Sequence, residues 1–285
     1  MHFNLKTWVL SPLTVLLVLY LVLIPLDTPL YDLILFPFPD PRVVNLDKQF
    51  DLLKKLCITK KDVTLVSANG KHLQAWFLEL PGTKRVFLYS HGKGNNIYGK
   101  LHVAQALLGC GGSVLMYDYQ GYGQSEGRAS LQNACDDGVA AYDYLVKEEH
   151  RQPKDIIGFG ESLGSGVTGQ LVTKRTLGGV IFQSGFASMK TSGADSLFWL
   201  KYYPDWCFPR HMMDNVAVFT KPHPPLLISH GTRDTVVRYE NALELYTKAI
   251  QPKTLLTFQG GGHGTVGKAG EFYATIRKFL KDNDL

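Results

Sequence analysis

Ser162 has the surroundings that a catalytic nucleophile needs. It is the third residue of Gly160–Gly164, a G-x-S-x-G pattern that follows an apolar run and precedes a helical stretch. The flanking glycines carry no Cβ where such a strand-to-helix turn is tightest. The sequence therefore predicts that the turn lifts Ser162 above a sheet, at the N-terminus of a helix.

A nucleophilic serine needs a general base, and the base needs an acid that orients it. His263 stands among glycines after the last apolar run, so its ring is sterically free to reach a neighbouring loop. Asp234 follows another apolar run, within the segment Gly231–Asp234. The turn after 180–182 contains no acid, and Asp195 lies in a segment without strand pattern. We therefore expect Asp234 to orient His263.

Acyl transfer also needs two backbone N–H groups that stabilise the developing oxyanion. The residue after the nucleophile, Leu163, is expected to supply one of them. The other is expected from the glycine-containing turn after the run 86–90, where Lys93 is the candidate. His91 in the same turn is interpreted as a structural side chain that bonds backbone, and not as a second base.

These residues follow a regular alternation of strand and helix patterns. Strands are predicted near 63–66, 73–78, 85–90, 113–117, 155–159, 179–182, 225–229 and 254–258. Helices are predicted near 98–108, 131–147, 240–250 and 271–281, and another follows the strand at 155–159 and ends at Lys174. The first two strands flank Asn69-Gly70 and predict a hairpin. The remainder predicts an α/β fold, a mostly parallel sheet with helices on both faces, whose ligands bind beyond the carboxyl ends of the strands.

One interval departs from this alternation. Residues 187–222 contain no clear strand and are rich in aromatic side chains, so we interpret them as a small helical cap. Substrate-binding candidates there and just before it are Phe186, Phe198, Trp199 and Tyr202. The domain is expected to span 61–285, after a connector at 27–60.

The first residues predict a membrane anchor. No charged residue occurs from Thr7 to Leu26, and twenty helical residues span about 30 Å, the thickness of a bilayer core. A cleaved signal peptide and a buried core helix are the alternatives. Because Lys6 precedes the run and Arg42 is the next basic residue, the positive-inside rule favours a catalytic domain on the non-cytoplasmic side.

Composition and short motifs argue against nucleic-acid, metal and nucleotide partners. The net charge of +5 is mild and comes without a dominant basic block, so no nucleic-acid partner is expected. No C-x-x-C pair and no phosphate loop with a Lys-Ser/Thr sequence occurs. We therefore expect neither a metal nor another cofactor.

In these motifs the chain resembles the α/β-hydrolase superfamily, from about Val63 to the end. The segments that carry the resemblance, in order, are Ser90–Gly92, Asp118–Ser125, Gly160–Gly164, His230–Asp234 and Gly261–His263. Its order of serine, aspartate and histidine is also that of the superfamily. The Tyr-x-Gly-Tyr-Gly-x-Ser element and the apolar N-terminus resemble a membrane-anchored branch that includes lysophospholipases, monoacylglycerol lipases and protein depalmitoylases.

The resemblance implies a membrane-anchored serine hydrolase that cleaves acyl esters of a lipid, with lysophospholipid or monoacylglycerol as substrate. Two departures stand out: Lys93-Gly94 replaces a common Asn-Ala, and no cysteine precedes Cys57, unlike in depalmitoylases. The same apparatus also serves thioesterases and serine peptidases, which remain alternatives. A non-catalytic binding module is disfavoured because Ser162, Asp234 and His263 are all present.

Overall fold

The centre of the molecule is an eight-stranded sheet. The computed structural model describes residues 12–22, 36, 42, 45–208, 213–264 and 269–285. The strands are β1 Thr59–Val66, β2 His72–Glu79, β3 Val86–Ser90, β4 Ser113–Tyr117, β5 Ile156–Glu161, β6 Gly179–Gln183, β7 Leu226–Gly231 and β8 Lys253–Phe258. Their order is β1-β2-β4-β3-β5-β6-β7-β8. Strand β2 pairs antiparallel with β1 and β4, and all other pairs are parallel.

Helices cover both faces of this sheet. The helices are α1 Pro12–Val22, α2 Asp47–Lys55, α3 Leu101–Leu108, α4 Leu131–Lys147, α5 Leu163–Lys174, α6 Met189–Ser196, α7 Asn215–Phe219, α8 Tyr239–Lys248 and α9 Ala269–Asp282. Alternate residues of β3 lie in two separate hydrophobic cores, one on each face of the sheet. Leu88 packs in the core formed with α4, α5 and α8, and Phe87 packs in the core formed with α3 and α9. Every residue of β3 and β5 is buried, which explains why their apolar runs do not alternate. The predicted α/β-hydrolase sheet is thus confirmed.

The N-terminal part differs from the expectation in two ways, at α2 and at the start of β1. The helix α1 has 11 residues, and within the part of the chain that the structure describes no helix is long and apolar enough to cross a membrane. Much of the predicted anchor and connector lies outside the described residues. The helix α2 was not predicted within that connector; it is short and amphipathic and buries Leu53. Strand β1 starts at Thr59, before the predicted start, because its pairing with Glu79 uses backbone groups and needs no apolar side chain.

Between β6 and β7 the chain forms the segment interpreted as a cap. In its described residues it contains α6, α7 and two short 3-10 helices, and it has a small apolar cluster of its own, made of Leu200, Tyr203, Cys207 and Phe208. Asp195 at the end of α6 accepts hydrogen bonds from Arg238 and Asn241, each at 3.2 Å. Both donors lie at the start of α8, just after the segment that carries Asp234, so the cap is tied to the loop of the catalytic candidate.

Candidate active site

The turn between β5 and α5 holds Ser162 in a strained conformation. Its backbone has φ 52° and ψ −114°, in the left-handed half of conformational space where side chains are disfavoured. Its N–H donates to the carbonyl of Gln183 on β6 at 2.9 Å. A Cβ on Gly164 would lie 1.9 Å from the carbonyl oxygen of Ser90, so the first turn of α5 reaches β3 only because this residue is glycine. This close approach presents the serine at the carboxyl edge of the sheet.

The structure brings the three predicted catalytic residues into one hydrogen-bonded chain. His263 Nε2 lies 3.1 Å from Ser162 Oγ, and His263 Nδ1 lies 2.8 Å from Asp234 Oδ2. Because Asp234 is acceptor-only when ionised, Nδ1 carries the proton and Nε2 is free to accept the hydroxyl proton of Ser162. The arrangement can therefore activate the serine as a nucleophile.

Asp234 is held ionised by its surroundings. Its side chain is fully buried, and burial by itself raises the pKa of a carboxyl group. The ring N–H groups of His230 and His263 and the N–H of Val237 outweigh that effect and hold the pKa of Asp234 well below its usual range. The N–H groups of Val236 and Val237 both donate to Oδ1 at 2.9 Å. Asp234 thus offers His263 a fixed negative charge.

The loop after β3 lies beside the nucleophile, and side chains fix its carbonyl groups. A Cβ on Gly92 would lie 3.3 Å from Ser162 Cβ. The carbonyl of His91 accepts from Tyr119 Oη at 2.8 Å, that of Gly92 from His91 Nδ1 at 2.7 Å, and that of Lys93 from Tyr122 Oη at 2.9 Å. Three consecutive carbonyls are therefore bound by donors, which fixes the orientation of the peptide units between them. Such a loop can present backbone N–H groups in a preorganised way.

Sequence reasoning missed the roles of Tyr119 and Tyr122. His91 has the structural role that was predicted for it. Its buried ring bonds a backbone carbonyl and lies outside the hydrogen-bonded chain of Ser162. Both tyrosines belong to the segment Asp118–Ser125, whose pattern by itself indicates only the resemblance to the superfamily. The two tyrosine hydroxyls bond the loop after β3, and nothing in the segment Asp118–Ser125 itself indicates that this loop is their neighbour.

A second missed group lies directly before the nucleophile. Glu161 is buried, and its carboxylate accepts from Lys100 Nζ at 2.6 Å and from Tyr89 Oη at 2.5 Å. Burial raises the pKa of Glu161, but the charge and hydrogen bond of Lys100 outweigh it and lower the pKa below its ordinary value. The buried charge beside Ser162 is therefore compensated by a lysine from the 3-10 turn before α3.

The four aromatic pocket candidates occupy different environments. Phe186 is buried against α5, where a Cβ on Gly166 would lie 2.7 Å from its ring. Trp199 packs on the small cluster of the cap. Phe198 and Tyr202 are 66% and 65% exposed, and so face outward. A shared acyl-pocket role for these residues stays a prediction. Within the described residues, no three potential metal ligands cluster as a metal site requires.

The sheet order and this site define the class of the protein: it is an α/β hydrolase. A family model described as the prolyl oligopeptidase family matches residues 104–283, and the chain belongs to that family. An uncharacterized protein of Mycobacterium tuberculosis (strain ATCC 25618 / H37Rv) is 30% identical over 208 residues, which are 71% of this chain and 72% of that protein.

Further relatives and structures agree with this class. Alpha/beta hydrolase domain-containing protein 17B of Xenopus laevis is 28% identical over 75% of this chain and 73% of its own. The esterase Pf2001 of Pyrococcus furiosus superposes with a TM-score of 0.69 at 22% identity, covering 86% of this chain and 97% of the esterase. An alpha-beta hydrolase of Vibrio vulnificus gives a TM-score of 0.70 at 18% identity, covering 89% and 94%. At these identities the two structures show a shared fold.

The bond from Tyr122 to the loop beside Ser162 can be tested by removing one oxygen. We expect Tyr122→Phe to slow the labelling of Ser162 by a fluorophosphonate about tenfold, because the freed loop no longer aligns its N–H groups. Thermal unfolding should show a loss of only about 1 kcal/mol, the size of one hydrogen bond. The matched control is Tyr142→Phe, whose hydroxyl donates to the carbonyl of Thr176 at 2.7 Å. Equal labelling rates in the two variants would contradict the role of Tyr122.

The ionisation of Asp234 predicts a simple pH dependence. Since the lowered pKa keeps Asp234 ionised at and above mildly acidic pH, Asp234 should add no ionisation of its own to the labelling rate between pH 5 and 8. We expect the labelling rate of Ser162 to rise about tenfold per pH unit on the acid side and then to level off. Rates measured at constant ionic strength check this. A flat profile would argue against a histidine base, and a slope of two would argue against an ionised Asp234.

Proposed function

We propose that the protein is a serine hydrolase that cleaves carboxylic acyl esters through an acyl-enzyme. The observation that carries this proposal is the continuous hydrogen-bonded chain from Ser162 through His263 to Asp234. The strained turn of Ser162 supports it, because backbone strain of about 1–3 kcal/mol is typical of functional sites. The Pyrococcus furiosus protein that shares this fold is named an esterase, which agrees with an ester substrate.

The geometry suggests the following steps. Ser162 Oγ attacks the ester carbonyl carbon while its proton passes to His263 Nε2, and Asp234 stabilises the resulting imidazolium. The N–H groups of Lys93 and Leu163 hold the oxyanion of the tetrahedral intermediate. His263 then gives the proton to the leaving alcohol oxygen, the carbon–oxygen bond breaks, and the acyl group remains on Ser162. Water, deprotonated by His263, attacks the acyl carbon. His263 then returns that proton to Ser162 Oγ as the acyl carbon–Oγ bond breaks, which releases the carboxylic acid and restores Ser162.

A lipid ester, either a lysophospholipid or a monoacylglycerol, is the substrate class that the surface supports best. The cap exposes three large aromatic side chains, Phe198, Tyr202 and Trp206, the last of them 75% exposed. Aromatic side chains with polar tips favour the boundary between water and lipid. A membrane surface would therefore meet an aromatic patch on the cap.

The helix α1 supports a membrane location. Its leucines are exposed, with Leu13 at 78% and Leu16 at 62%. Tyr20 of α1 stacks on Tyr203 of the cap with ring centroids 4.5 Å apart, and Tyr203 Oη donates to the carbonyl of Tyr20 at 2.7 Å. We propose that α1 belongs to an N-terminal membrane segment that holds the cap near the bilayer. The positive-inside rule, applied to Lys6 and Arg42, favours a catalytic domain on the non-cytoplasmic side.

Two related activities are kept as alternatives, an acyl-protein thioesterase and a serine peptidase. Both would use the same three residues, and the name of the matched family includes a peptidase. Purified full-length protein should hydrolyse a monoacylglycerol or lysophospholipid in mixed micelles faster than an acyl thioester or an aminoacyl amide. Faster cleavage of the thioester or the amide would overturn the ester assignment.

Activation of the nucleophile is tested directly with a fluorophosphonate probe. We expect detergent-solubilised protein to be labelled, and Ser162→Ala to lose the label, because the probe bonds covalently to the activated serine oxygen. Ser165→Ala is the matched control, since that hydroxyl lies one turn further on and donates to the carbonyl of Ser162 at 2.7 Å. Folded wild type that takes no label would contradict the proposed function.

A further inference from the structure

A second histidine contacts the carboxylate of Asp234. His230 lies on β7, where it pairs with Thr257 of β8, and its side chain is fully buried. Its Nε2 lies 3.2 Å from Asp234 Oδ2 and 2.8 Å from the carbonyl oxygen of Val237. The oxygen Oδ2 is also the one that His263 binds. Two histidines therefore approach one carboxylate oxygen from two different strand ends.

The surroundings of His230 determine where its proton lies. Nε2 faces two acceptors, the carboxylate of Asp234 and the carbonyl of Val237. Nδ1 is buried and has no hydrogen-bond partner within the described part of the chain. Because a proton on Nε2 bonds the carbonyl of Val237 and lies beside Asp234 Oδ2, whereas one on Nδ1 would be left unbonded, His230 is protonated at Nε2 and not at Nδ1. It carries the opposite tautomer to His263, whose Nδ1 faces the same carboxylate.

This contact goes beyond shaping the loop. In the proposed reaction His263 becomes positively charged, and its proton on Nδ1 must stay there and not pass to Asp234. A donor on Oδ2 stabilises the ionised carboxylate and lowers its affinity for that proton. The two N–H groups on Oδ1, from Val236 and Val237, prevent the carboxylate from rotating. His230 Nε2–H bonds the carbonyl of Val237 and lies 3.2 Å from Oδ2, the oxygen that His263 binds.

We propose that His230 is a positioning residue, which fixes the carboxylate of Asp234 through Nε2–H and so keeps His263 correctly oriented and protonated during acyl transfer. It does not touch the substrate. The inference rests on the proposed function, since it assumes that Asp234 and His263 act on Ser162. A variant of His230 that lacks this contact should therefore lower kcat and leave KM nearly unchanged.

The tautomer allows a test with two variants of similar size. The Nε2 of glutamine occupies about the place of the Nε2 of histidine, whereas the amide nitrogen of asparagine corresponds to Nδ1 and points away from Asp234. We expect His230→Asn to lower kcat on a soluble short-chain nitrophenyl ester at least tenfold with KM changed less than about twofold. His230→Gln should stay within about threefold of wild type. Equal losses in both variants, at equal thermal stability, would overturn the inference.

A double-mutant cycle separates action through Asp234 from general damage. In an Asp234→Ala background, His230→Asn should change the fluorophosphonate labelling rate less than about twofold, because its partner is already gone. The same tenfold loss in both backgrounds would show a merely structural role. Failure of the proposed function would appear differently, as wild-type protein in which Ser162 takes no label at all.

Discussion

The close approach of the turn after β5 to the end of β3 is the constraint on which the site depends. With a Cβ at Gly164 only 1.9 Å from the carbonyl of Ser90, the first turn of α5 could not pack there. The strain at Ser162 is the cost of that approach, and the bond from its N–H to Gln183 on β6 helps to hold it. Neighbouring parallel strands then bring the loops of His91, Asp234 and His263 to the same edge.

Several polar groups buried around this edge bond partners from distant segments. The carbonyls of the loop after β3 are bound by Tyr119 and Tyr122, and the charge of Glu161 is compensated by Lys100. Buried polar groups without partners are costly, so each of these bonds also specifies one arrangement of the loops. The same groups that stabilise the fold therefore preorganise the candidate site.

The cap links this chemistry to the exposed apolar surface. Asp195 ties α6 to the start of α8, close to the loop of Asp234, and Tyr203 packs on Tyr20 of α1. If the substrate is a lipid ester, as proposed, the cap would contact the membrane on one side and the loop of Asp234 on the other. It would then couple substrate delivery to the catalytic groups. The exposed positions of Phe198 and Tyr202 suit an entry surface better than an enclosed pocket.

The sequence by itself determined the alternation of strands and helices and singled out Ser162, Asp234 and His263. Apolar runs and glycine-rich turns are local patterns, and parallel strands bring their carboxyl ends to one edge whatever the loops contain. It could not show that Tyr119 and Tyr122 bond the loop after β3, that Lys100 neutralises Glu161, or that His230 shares the carboxylate with His263. These contacts join residues far apart in the chain, and their partners are chosen by three-dimensional packing. Only the tertiary structure could decide them.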